Sequence, residues 1–345
     1  MKILIVRLGA LGDIVHALPA AAALRTAMPD ARIDWLVDAR HRALFDLVTG
    51  LDRVVTLEGR SVAAWVDAVR RLRQVAYDAA LDMQGLMKSA VLARASGASR
   101  VAGFSLWHLR EKAARPFYSQ VDEASTAGEG GPPAHVIYKN LRLLRVVGVD
   151  TDRVVFPITG VDPAAASAGR PAGGGGPFAV LNPGAAWPNK RWPAERFGEV
   201  AAFLRDVRGI RSVVVWGPGE QELARSVVSA SNGAAVEAPP TGLADLVSLL
   251  RGASLCVSGD TGPLHLAAAV GTPVVGIFGP TDPERNGPWL AADVVVTRHV
   301  ACGCHYERRC RQAGWCLADI GTGEVTAAVQ RRLGPGSVAG SQQDV

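Results

Sequence analysis

The chain has 345 residues, which is more than a single hydrophobic core usually serves, so its length predicts two domains. Because 48% of the residues are hydrophobic and only 20% are charged, the composition is that of a folded globular protein and excludes a largely disordered chain. The 37 Lys and Arg residues against 32 Asp and Glu residues leave a net charge of +5. This mild excess suits an anionic substrate or a lipid headgroup surface, but it is too small to indicate a nucleic-acid partner.

The amino-terminal segment does not have the pattern of an export signal, because Arg7, Asp13 and His16 interrupt the apolar run that follows Lys2. No stretch approaches the ~18 to 20 uncharged apolar residues that a membrane span needs. We therefore expect a cytoplasmic protein, and we keep peripheral contact with the cytoplasmic face of the inner membrane as an alternative.

Strands and helices alternate along the first part of the chain. The pattern predicts strands over residues 2–7, 32–37, 53–57 and 79–82, and helices over 14–28, 43–48, 61–75 and 132–147. A stretch rich in Gly, Ala and Pro between 160 and 177 predicts a linker. After it, strands are expected over 178–181, 212–216, 255–257 and 274–278, and helices over 194–207, 220–229 and 243–251 and from Gly262 onwards.

This alternation predicts the α/β class, in which each half of the chain forms a doubly wound parallel sheet and the two halves face a cleft. We expect the first domain to span residues 1–165 and the second to span 166–333. Residues 334–345 are expected to form a disordered tail.

Residues 258–269, S-G-D-T-G-P-L-H-L-A-A-A, are the most informative stretch. They predict a strand, a polar turn and a helix, with Asp260, Thr261 and the amides after Gly262 at the N-terminus of that helix. Helix N-termini attract anions, and ligands of parallel sheets bind at the carboxyl ends of the strands. His265 is expected to face the ligand from the first helical turn, the alternative being a histidine of the core.

Residues 7–13, R-L-G-A-L-G-D, join the first strand to the first helix. They lack the G-x-G-x-x-G fingerprint of dinucleotide sites and the G-K-[ST] of a P-loop, which argues against both of those nucleotide sites. The glycines allow the backbone to approach a ligand closely, and Asp13 brings a carboxylate to the first helical turn. From spacing alone, Asp13 is equally well a ligand-facing group or a helix N-cap.

Two further loops follow strands in the second half, at residues 182–193 and 216–220. A Lys190 ammonium near a helix start is a suitable partner for a pyrophosphate, the alternative being that Lys190 and Arg191 are solvated. Glu220 can accept both hydroxyls of a ribose, as the acidic residue of dinucleotide sites does. Its alternative role is a favourable acidic residue at a helix start.

Four of the five cysteines fall within fifteen residues, at Cys302, Cys304, Cys310 and Cys316. Their C-x-C-x5-C-x5-C spacing differs from the C-x2-4-C pairs that zinc sites prefer. A bound metal and a surface loop of reduced or redox-labile thiols both remain open, and we expect no metal. Basic residues cluster separately between Arg60 and Arg115, either as solvated helix faces or as a surface for a phosphorylated acceptor.

The chain resembles glycosyltransferase family 9, the ADP-heptose:lipopolysaccharide heptosyltransferases. The resemblance is carried, in the family's order, by I-L-I-V-R-L-G-A-L-G-D-I-V-H-A-L-P-A, D-M-Q-G-L-M-K-S, N-P-G-A-x-W-x-x-K-R-W-P, D-T-G-P-L-H-L-A-A-A and G-P-T-D-P. It implies a GT-B fold of two Rossmann-like domains, with the acceptor bound mainly by the first and the nucleotide sugar by the second. It also implies an inverting transfer of heptose from ADP-heptose to the Kdo/lipid A inner core of lipopolysaccharide, with no required metal or other cofactor.

The resemblance assigns roles to single residues. Asp13 matches the general base, Lys190 the partner of the diphosphate, and the helix beginning at Gly262 the holder of the β-phosphate. By the same resemblance, Asp260 would bind sugar hydroxyls, Thr261 and His265 would reach phosphate, and Glu220 would hold the ribose. Acceptor-binding roles are implied for Gly12, Gln84, Lys88 and Arg110.

Two alternatives to this function stay open. One is a family 9 transferase that uses another nucleotide sugar or another acceptor, which could be a phosphorylated lipid or oligosaccharide. The other is a non-catalytic protein that binds nucleotide sugars. Asp13 discriminates between the classes, since a binding protein has no need of a carboxylate at this turn.

Overall fold

Two parallel β-sheets, each of six strands, organise the chain. The computed structural model describes residues 1–122, 135–159, 176–311 and 314–334. These form two compact units, Met1–Gly160 and Val161–Val345. The expected boundary between residues 165 and 166 lies outside the described residues, as does the expected tail beyond Gly334.

The first unit contains β1 (Lys2–Val6), β2 (Arg32–Asp38), β3 (Arg53–Leu57), β4 (Ala79–Asp82), β5 (Arg100–Phe104) and β6 (Gln120–Asp122), in the sheet order β3-β2-β1-β4-β5-β6. Its α-helices are α1 (Leu11–Val15), α2 (Leu18–Ala27), α3 (Val62–Arg73), α4 (Met87–Ala95) and α5 (Val136–Arg142). Short 3-10 helices cover Ala39–Asp46, Lys112–Phe117 and Leu143–Val147.

The second unit contains β7 (Phe178–Asn182), β8 (Arg211–Val214), β9 (Ala235–Glu237), β10 (Leu255–Gly259), β11 (Val274–Phe278) and β12 (Val294–Thr297), in the sheet order β12-β11-β10-β7-β8-β9. Its α-helices are α6 (Ala194–Arg208), α7 (Gln221–Ala230), α8 (Leu243–Gly252), α9 (Gly262–Ala269), α10 (Pro283–Asn286) and α11 (Thr322–Leu333). Short 3-10 helices cover Pro188–Lys190 and Cys316–Asp319.

The central strands are buried along their whole length, which explains why their sequences are continuous apolar runs rather than alternating ones. Every residue of β4, β7, β10 and β11 is buried. Parallel sheets covered by helices on both faces produce this pattern. The expected α/β class, with two doubly wound sheets, is confirmed.

In both sheets the order of the strands reverses next to the first strand of the unit. In the first unit β1 lies between β2 and β4, and in the second unit β7 lies between β8 and β10. At such a switch point the loops leaving the two central strands diverge and open a crevice at the carboxyl edge of the sheet. The turns after β1 and β4 and those after β7 and β10 are therefore the expected ligand positions.

Several expected elements differ from those observed. The helix expected over 14–28 is divided into α1 and α2, with Pro19 in the first turn of the second. The helix expected over 43–48 is a 3-10 helix, Ala39–Asp46, capped by the Asp38 carboxylate. Of the helix expected over 132–147, the first three residues lie outside the described part, and the remainder is α5 followed by a 3-10 helix. Among the described residues, no helix is both long enough and apolar enough to cross a bilayer.

Candidate active site

Lys190 and Asp260 form an ion pair at the switch point of the second unit. Lys190 ends the short 3-10 helix after β7, and Asp260 follows β10 directly. The Lys190 Nζ lies 2.5 Å from Oδ2 of Asp260, and the side chains are only 14% and 4% exposed. The same Nζ lies 4.5 Å from the centre of the Trp187 ring. An ammonium held between a carboxylate and an aromatic face is fixed in position rather than solvated.

Three more side chains donate to the Asp260 carboxylate. Thr281 Oγ1 donates to Oδ2 at 2.6 Å, while Asn286 Nδ2 and His265 Nε2 contact Oδ1, each at 3.0 Å. Burial by itself would raise the pKa of Asp260, but the hydrogen bond from His265 and the charge of Lys190 outweigh it and hold the pKa well below its ordinary value. Asp260 is therefore an ionised, buried carboxylate with four partners.

Helix α9 begins beside this pair. Thr261 is its N-cap, and Gly262 and Pro263 open its first turn. The Asn182 amide, at the end of β7, donates to Oγ1 of Thr261 and to Oγ of Ser258, each at 2.9 Å. A helix start with fixed side chains presents backbone N–H groups to an anion. The structure thus brings together five of the predicted donor-site residues, namely Lys190, Asp260, Thr261, Gly262 and His265.

The sixth predicted residue, Glu220, lies against the same loop after β7. Its Oε2 accepts a hydrogen bond from Gly217 N at 3.2 Å, and its Oε1 lies 3.5 Å from Nη2 of Arg191. A Cβ at Gly184 would lie 2.1 Å from the Glu220 Oε2, so only glycine allows this approach. Glu220 therefore lies against the loop of residues 182–193, which carries Lys190.

Four polar residues of this site were not predicted from the sequence. Asn182 and Ser258 orient Thr261, and Thr281 and Asn286 complete the Asp260 shell. Thr281 belongs to the G-P-T-D-P stretch that carries part of the resemblance. Because this stretch follows β11, which pairs with β10, its position at the sheet edge was a signal that could have identified it.

Asp13 lies at the switch point of the first unit, at the third position of α1. It is not the N-cap, which is Ala10, although its Oδ2 does accept a hydrogen bond from the Ala10 amide at 3.3 Å. The Nη2 of buried Arg7 lies 2.8 Å from the same oxygen, and the Asp13 side chain is 23% exposed. A partly exposed, ion-paired carboxylate at this edge is accessible to a ligand.

The turn after β4 is hydrogen-bonded to the turn after β1. Gln84 Oε1 accepts from the Leu8 amide at 2.7 Å, and the Arg7 guanidinium donates to the Met83 carbonyl oxygen. The fully buried Asp82 carboxylate, whose pKa is raised by burial, accepts from the Gln84 amide at 2.9 Å and from the Tyr118 hydroxyl at 2.7 Å. Two turns that are distant in sequence thus form one polar framework.

The four predicted acceptor residues are distributed around this framework. Gly12 is buried within α1, and Gln84 is only 5% exposed because its side chain bridges the two turns. Lys88, on α4, and Arg110 are exposed, and their side chains form no hydrogen bond or ion pair with the described part of the chain. The structure brings Gln84 to the turn that carries Asp13, whereas the two cations are available to solvent.

The four clustered cysteines belong to the second unit, where Cys316 begins the 3-10 helix Cys316–Asp319 and the other three precede it. Cys302 and Cys304 are buried, the Sγ atoms of Cys304 and Cys310 are 3.5 Å apart, and burial raises the pKa of the Cys316 thiol to about 12. Within the described ranges, no group of three or more His, Cys, Asp or Glu side chains is arranged to hold a metal ion. Trp315, which precedes Cys316, also contacts the loop of residues 182–193, since its Nε1 donates to the Arg191 carbonyl oxygen at 2.7 Å.

Comparisons with known proteins agree on one family. The model described as "Glycosyltransferase family 9 (heptosyltransferase)" matches residues 65–316. Lipopolysaccharide heptosyltransferase 1 of Pseudomonas aeruginosa is 29% identical over 327 residues, which cover 90% of this chain and 87% of that protein. The protein of the same name from Escherichia coli K12 is 30% identical over 303 residues, which cover 83% of this chain and 90% of that protein.

Solved structures share the architecture. The E. coli heptosyltransferase WaaC with ADP is 25% identical to this chain and gives a TM-score of 0.77, covering 96% of this chain and 100% of that one. The E. coli ADP-heptose lps heptosyltransferase II gives a TM-score of 0.76 at 22% identity, covering 96% and 98% of the two chains. The expected GT-B fold is confirmed by these matches.

Proposed function

This chain belongs to glycosyltransferase family 9, and we propose that it transfers a heptose from ADP-heptose to the Kdo/lipid A inner core of lipopolysaccharide. The observation that carries the proposal is the arrangement of Lys190, Asp260 and the start of α9. A fixed ammonium beside a helix N-terminus is suited to a diphosphate, which is the part of a nucleotide sugar that carries most of its charge.

In this reaction Asp13 acts as the general base. It takes the proton of an acceptor hydroxyl while that oxygen forms a bond to the anomeric carbon of the heptose. The bond from the anomeric carbon to the β-phosphate oxygen breaks on the opposite side, so the anomeric configuration inverts. The ADP leaving group gains negative charge as the bond breaks, and Lys190 together with the backbone amides of α9 stabilises that charge.

The remaining donor residues hold the nucleotide sugar. Glu220 accepts the hydroxyls of the ribose, and Thr261 contacts phosphate. His265 is only 6% exposed and its Nε2 donates to Asp260, so it acts through that carboxylate. Asp260 has a double role, because it orients Lys190 and also faces the sugar hydroxyls. Its oxygens already accept from four donors, so a sugar hydroxyl binds there only when one of these, such as the Thr281 hydroxyl, moves away.

On the acceptor side, Gly12, Gln84, Lys88 and Arg110 contribute to binding a phosphorylated lipid or oligosaccharide. A lipid-linked acceptor places the enzyme at a membrane surface.

The loop that carries Leu106 and Trp107, near Gln84, is suited to peripheral contact with such a surface. The two side chains are 49% and 77% exposed. Arg110 and Lys112, which follow, are exposed cations that complement anionic headgroups.

The function is tested by incubating the purified protein with ADP-heptose and Kdo-lipid A and detecting the heptosylated product by mass spectrometry. Parallel reactions with UDP- and GDP-sugars test the alternative that another donor is used. A protein that binds ADP-heptose but forms no product with any acceptor would support the non-catalytic alternative and contradict the proposal.

Single substitutions separate binding of the donor from the transfer step. Lys190→Ala is expected to weaken ADP binding by roughly 10- to 100-fold, because a charge-assisted contact contributes ~1.5–3 kcal/mol. Asp13→Ala should abolish transfer while leaving ADP affinity nearly unchanged. Lys139→Ala is the matched control, since the Lys139 Nζ also lies over an aromatic ring, 4.1 Å from the centre of Phe104, but in the first unit.

A further inference from the structure

Arg7 is a buried arginine whose side chain connects the two turns of the first unit. It directly follows β1, and its side chain is only 5% exposed. One nitrogen, Nη1, donates to the Met83 carbonyl oxygen after β4, and the other, Nη2, lies 2.8 Å from Oδ2 of Asp13. A guanidinium that is removed from water needs an ionised partner, and Asp13 provides it.

The far end of this connection is itself rigid. The Met83 amide donates to the Val6 carbonyl oxygen at 3.1 Å, and the Leu8 amide donates to Gln84 Oε1 at 2.7 Å. Behind this turn, Asp82 accepts hydrogen bonds from the Gln84 amide and the Ser89 hydroxyl. Arg7 therefore connects Asp13 to a turn that is fixed from several sides.

We propose that Arg7 is the positioning residue that sets the Asp13 carboxylate against the acceptor-binding turn at Gln84. This inference rests on the proposed function, in which Asp13 is the general base. A base that is displaced by about 1 Å can lose about 100-fold in rate, so the position of this carboxylate needs to be determined by more than a five-residue helix.

The arrangement requires arginine rather than a positive charge alone. The guanidinium is planar and presents N–H groups in a fixed fork, so it satisfies the Met83 carbonyl and the Asp13 carboxylate at the same time. A lysine at this position keeps the charge near Asp13 but has a single nitrogen on a flexible stem. Arg7→Lys therefore removes the orientation and keeps the charge.

The test uses the full-length protein with Arg7→Lys, Arg7→Met and a matched control, Arg25→Lys. Arg25 likewise donates to a carboxylate, Asp52 at 2.6 Å, and to a backbone carbonyl, Gly50 at 3.1 Å, within the same unit. We expect kcat of Arg7→Lys to fall by about 100-fold with ADP affinity within about twofold and the melting temperature near that of the parent protein. The Arg25→Lys control should keep kcat.

A double-mutant cycle separates positioning from a purely structural role. In an Asp13→Glu background, which keeps a carboxylate and measurable transfer, Arg7→Lys should lower kcat by much less than 100-fold, because that carboxylate is already displaced. Unchanged kcat in Arg7→Lys, or losses that add fully in the double variant, would overturn the inference. A loss of melting temperature that accounts for the whole loss of activity would overturn it as well.

Failure of the proposed function gives a different result. If Asp13→Ala keeps full transfer activity, Asp13 is not the base, and the positioning role of Arg7 is overturned together with it. If Asp13→Ala is inactive and Arg7→Lys is fully active, the base is retained and only the positioning role of Arg7 is wrong. Should Arg7→Met not fold, Arg7→Lys alone decides the question.

Discussion

Lys190 and Asp260 are seventy positions apart in the sequence, yet the Lys190 Nζ lies 2.5 Å from the Asp260 Oδ2. The contact forms because β7 pairs with β10, so that the loops leaving the two strands meet at the carboxyl edge of the sheet. Gly259 contributes at the same point, since a Cβ there would lie 2.8 Å from the Lys190 carbonyl oxygen. The pair joins the cation that we propose for the diphosphate to the start of α9.

Replacing Asp260 with Asn is expected to separate orientation from affinity. The change removes a negative charge next to the diphosphate, which favours anion binding, but it also releases the Lys190 ammonium from its fixed position. We expect these effects to offset each other, so that ADP affinity stays within about threefold of that of the parent protein. We expect kcat to fall by about 100-fold, because the Lys190 ammonium is misplaced. Isothermal calorimetry and initial-rate measurements provide the two readouts.

The control for this variant is Asp293→Asn, which breaks a similarly buried ion pair of the second unit. The Asp293 Oδ1 lies 2.7 Å from Nε of Arg332, on α11. This variant should lower the melting temperature and leave kcat per folded molecule unchanged. An equal loss of ADP affinity and kcat in Asp260→Asn would argue against an orienting role for Asp260.

Asp260 should also contribute to the acid sensitivity of the fold. Its pKa in the folded protein is held below the ordinary value of 3.8, so the charged form stabilises the native state above that value. The contribution is lost as the pH falls below 3.8 towards the depressed pKa. We therefore expect the melting temperature of Asp260→Asn to decline less steeply than that of the parent protein as the medium becomes acidic.

The pKa of Asp82 is shifted in the opposite direction to that of Asp260, so Asp82 serves as the comparison. Burial raises its pKa above 3.8, so the native state favours the protonated form, and the cost of the buried charge diminishes as the pH falls through the raised pKa. The melting temperature of Asp82→Asn should therefore decline more steeply than that of the parent protein as the pH falls. Parallel plots of melting temperature against pH for Asp82→Asn and Asp260→Asn would contradict the assigned directions of the two pKa shifts.

Gly184→Ala should damage the donor site through Glu220. The added Cβ would lie 2.1 Å from the Glu220 Oε2, so the carboxylate would have to move away from the loop after β7. We expect ADP binding to weaken by about tenfold, since a hydrogen-bonded charged group contributes ~1.5–3 kcal/mol. Calorimetry with adenosine and with adenine, which differ only by the ribose, locates the loss at the ribose.

Gly323→Ala, in the first turn of α11, is the control for this substitution. No atom lies within 4 Å of a Cβ at Gly323, and alanine favours a helix more than glycine does. This variant should keep ADP affinity and melt at the same or a slightly higher temperature. If Gly184→Ala binds ADP as tightly as Gly323→Ala, then Glu220 does not hold the ribose.

The fold could be predicted largely from local patterns. The central strands are continuous apolar runs because helices cover both faces of each sheet, and this signal survives in single segments such as 255–257 and 274–278. Edge strands such as β6 and β9, with three residues each, carry too few positions for such a pattern and were missed. The division of helix 14–28 at His16 is not visible in the apolar periodicity, although Pro19, in the first turn of α2, is a residue favoured at a helix start.

The candidate site was predictable only in part, for a related reason. Asp260 directly follows β10, and Asp13, Lys190 and Glu220 lie within eight residues of the ends of β1, β7 and β8, so the rule that ligands bind at carboxyl edges made all four of them candidates. Their partners could not be selected in this way. Arg7 contacts Met83 only because β1 pairs with β4, and a contact of this kind depends on strand order, which single segments do not encode.

Contact with a membrane should depend on the loop that carries Leu106 and Trp107. Two contacts with Gly85 hold the loop in place. The Glu111 amide donates to the Gly85 carbonyl oxygen at 3.2 Å, and Leu109 packs against Gly85. We expect Trp107→Ser to reduce binding to vesicles of phosphatidylethanolamine and phosphatidylglycerol by about tenfold, because burying a large apolar side chain contributes ~1.5–3 kcal/mol. Sedimentation with vesicles, without donor or acceptor, measures this effect independently of transfer activity.

Val300→Ser is the control, because Val300 is 95% exposed but belongs to the second unit. It should bind vesicles like the parent protein. Lys112→Glu should weaken binding to anionic vesicles and have little effect on weak binding to phosphatidylcholine, because the headgroup charge attracts the lysine only in the first case. If Trp107→Ser and Val300→Ser bind vesicles equally well, the loop does not enter the membrane surface. A KM of Trp107→Ser that is raised only for the lipid-linked acceptor would instead assign Trp107 to binding of the acceptor.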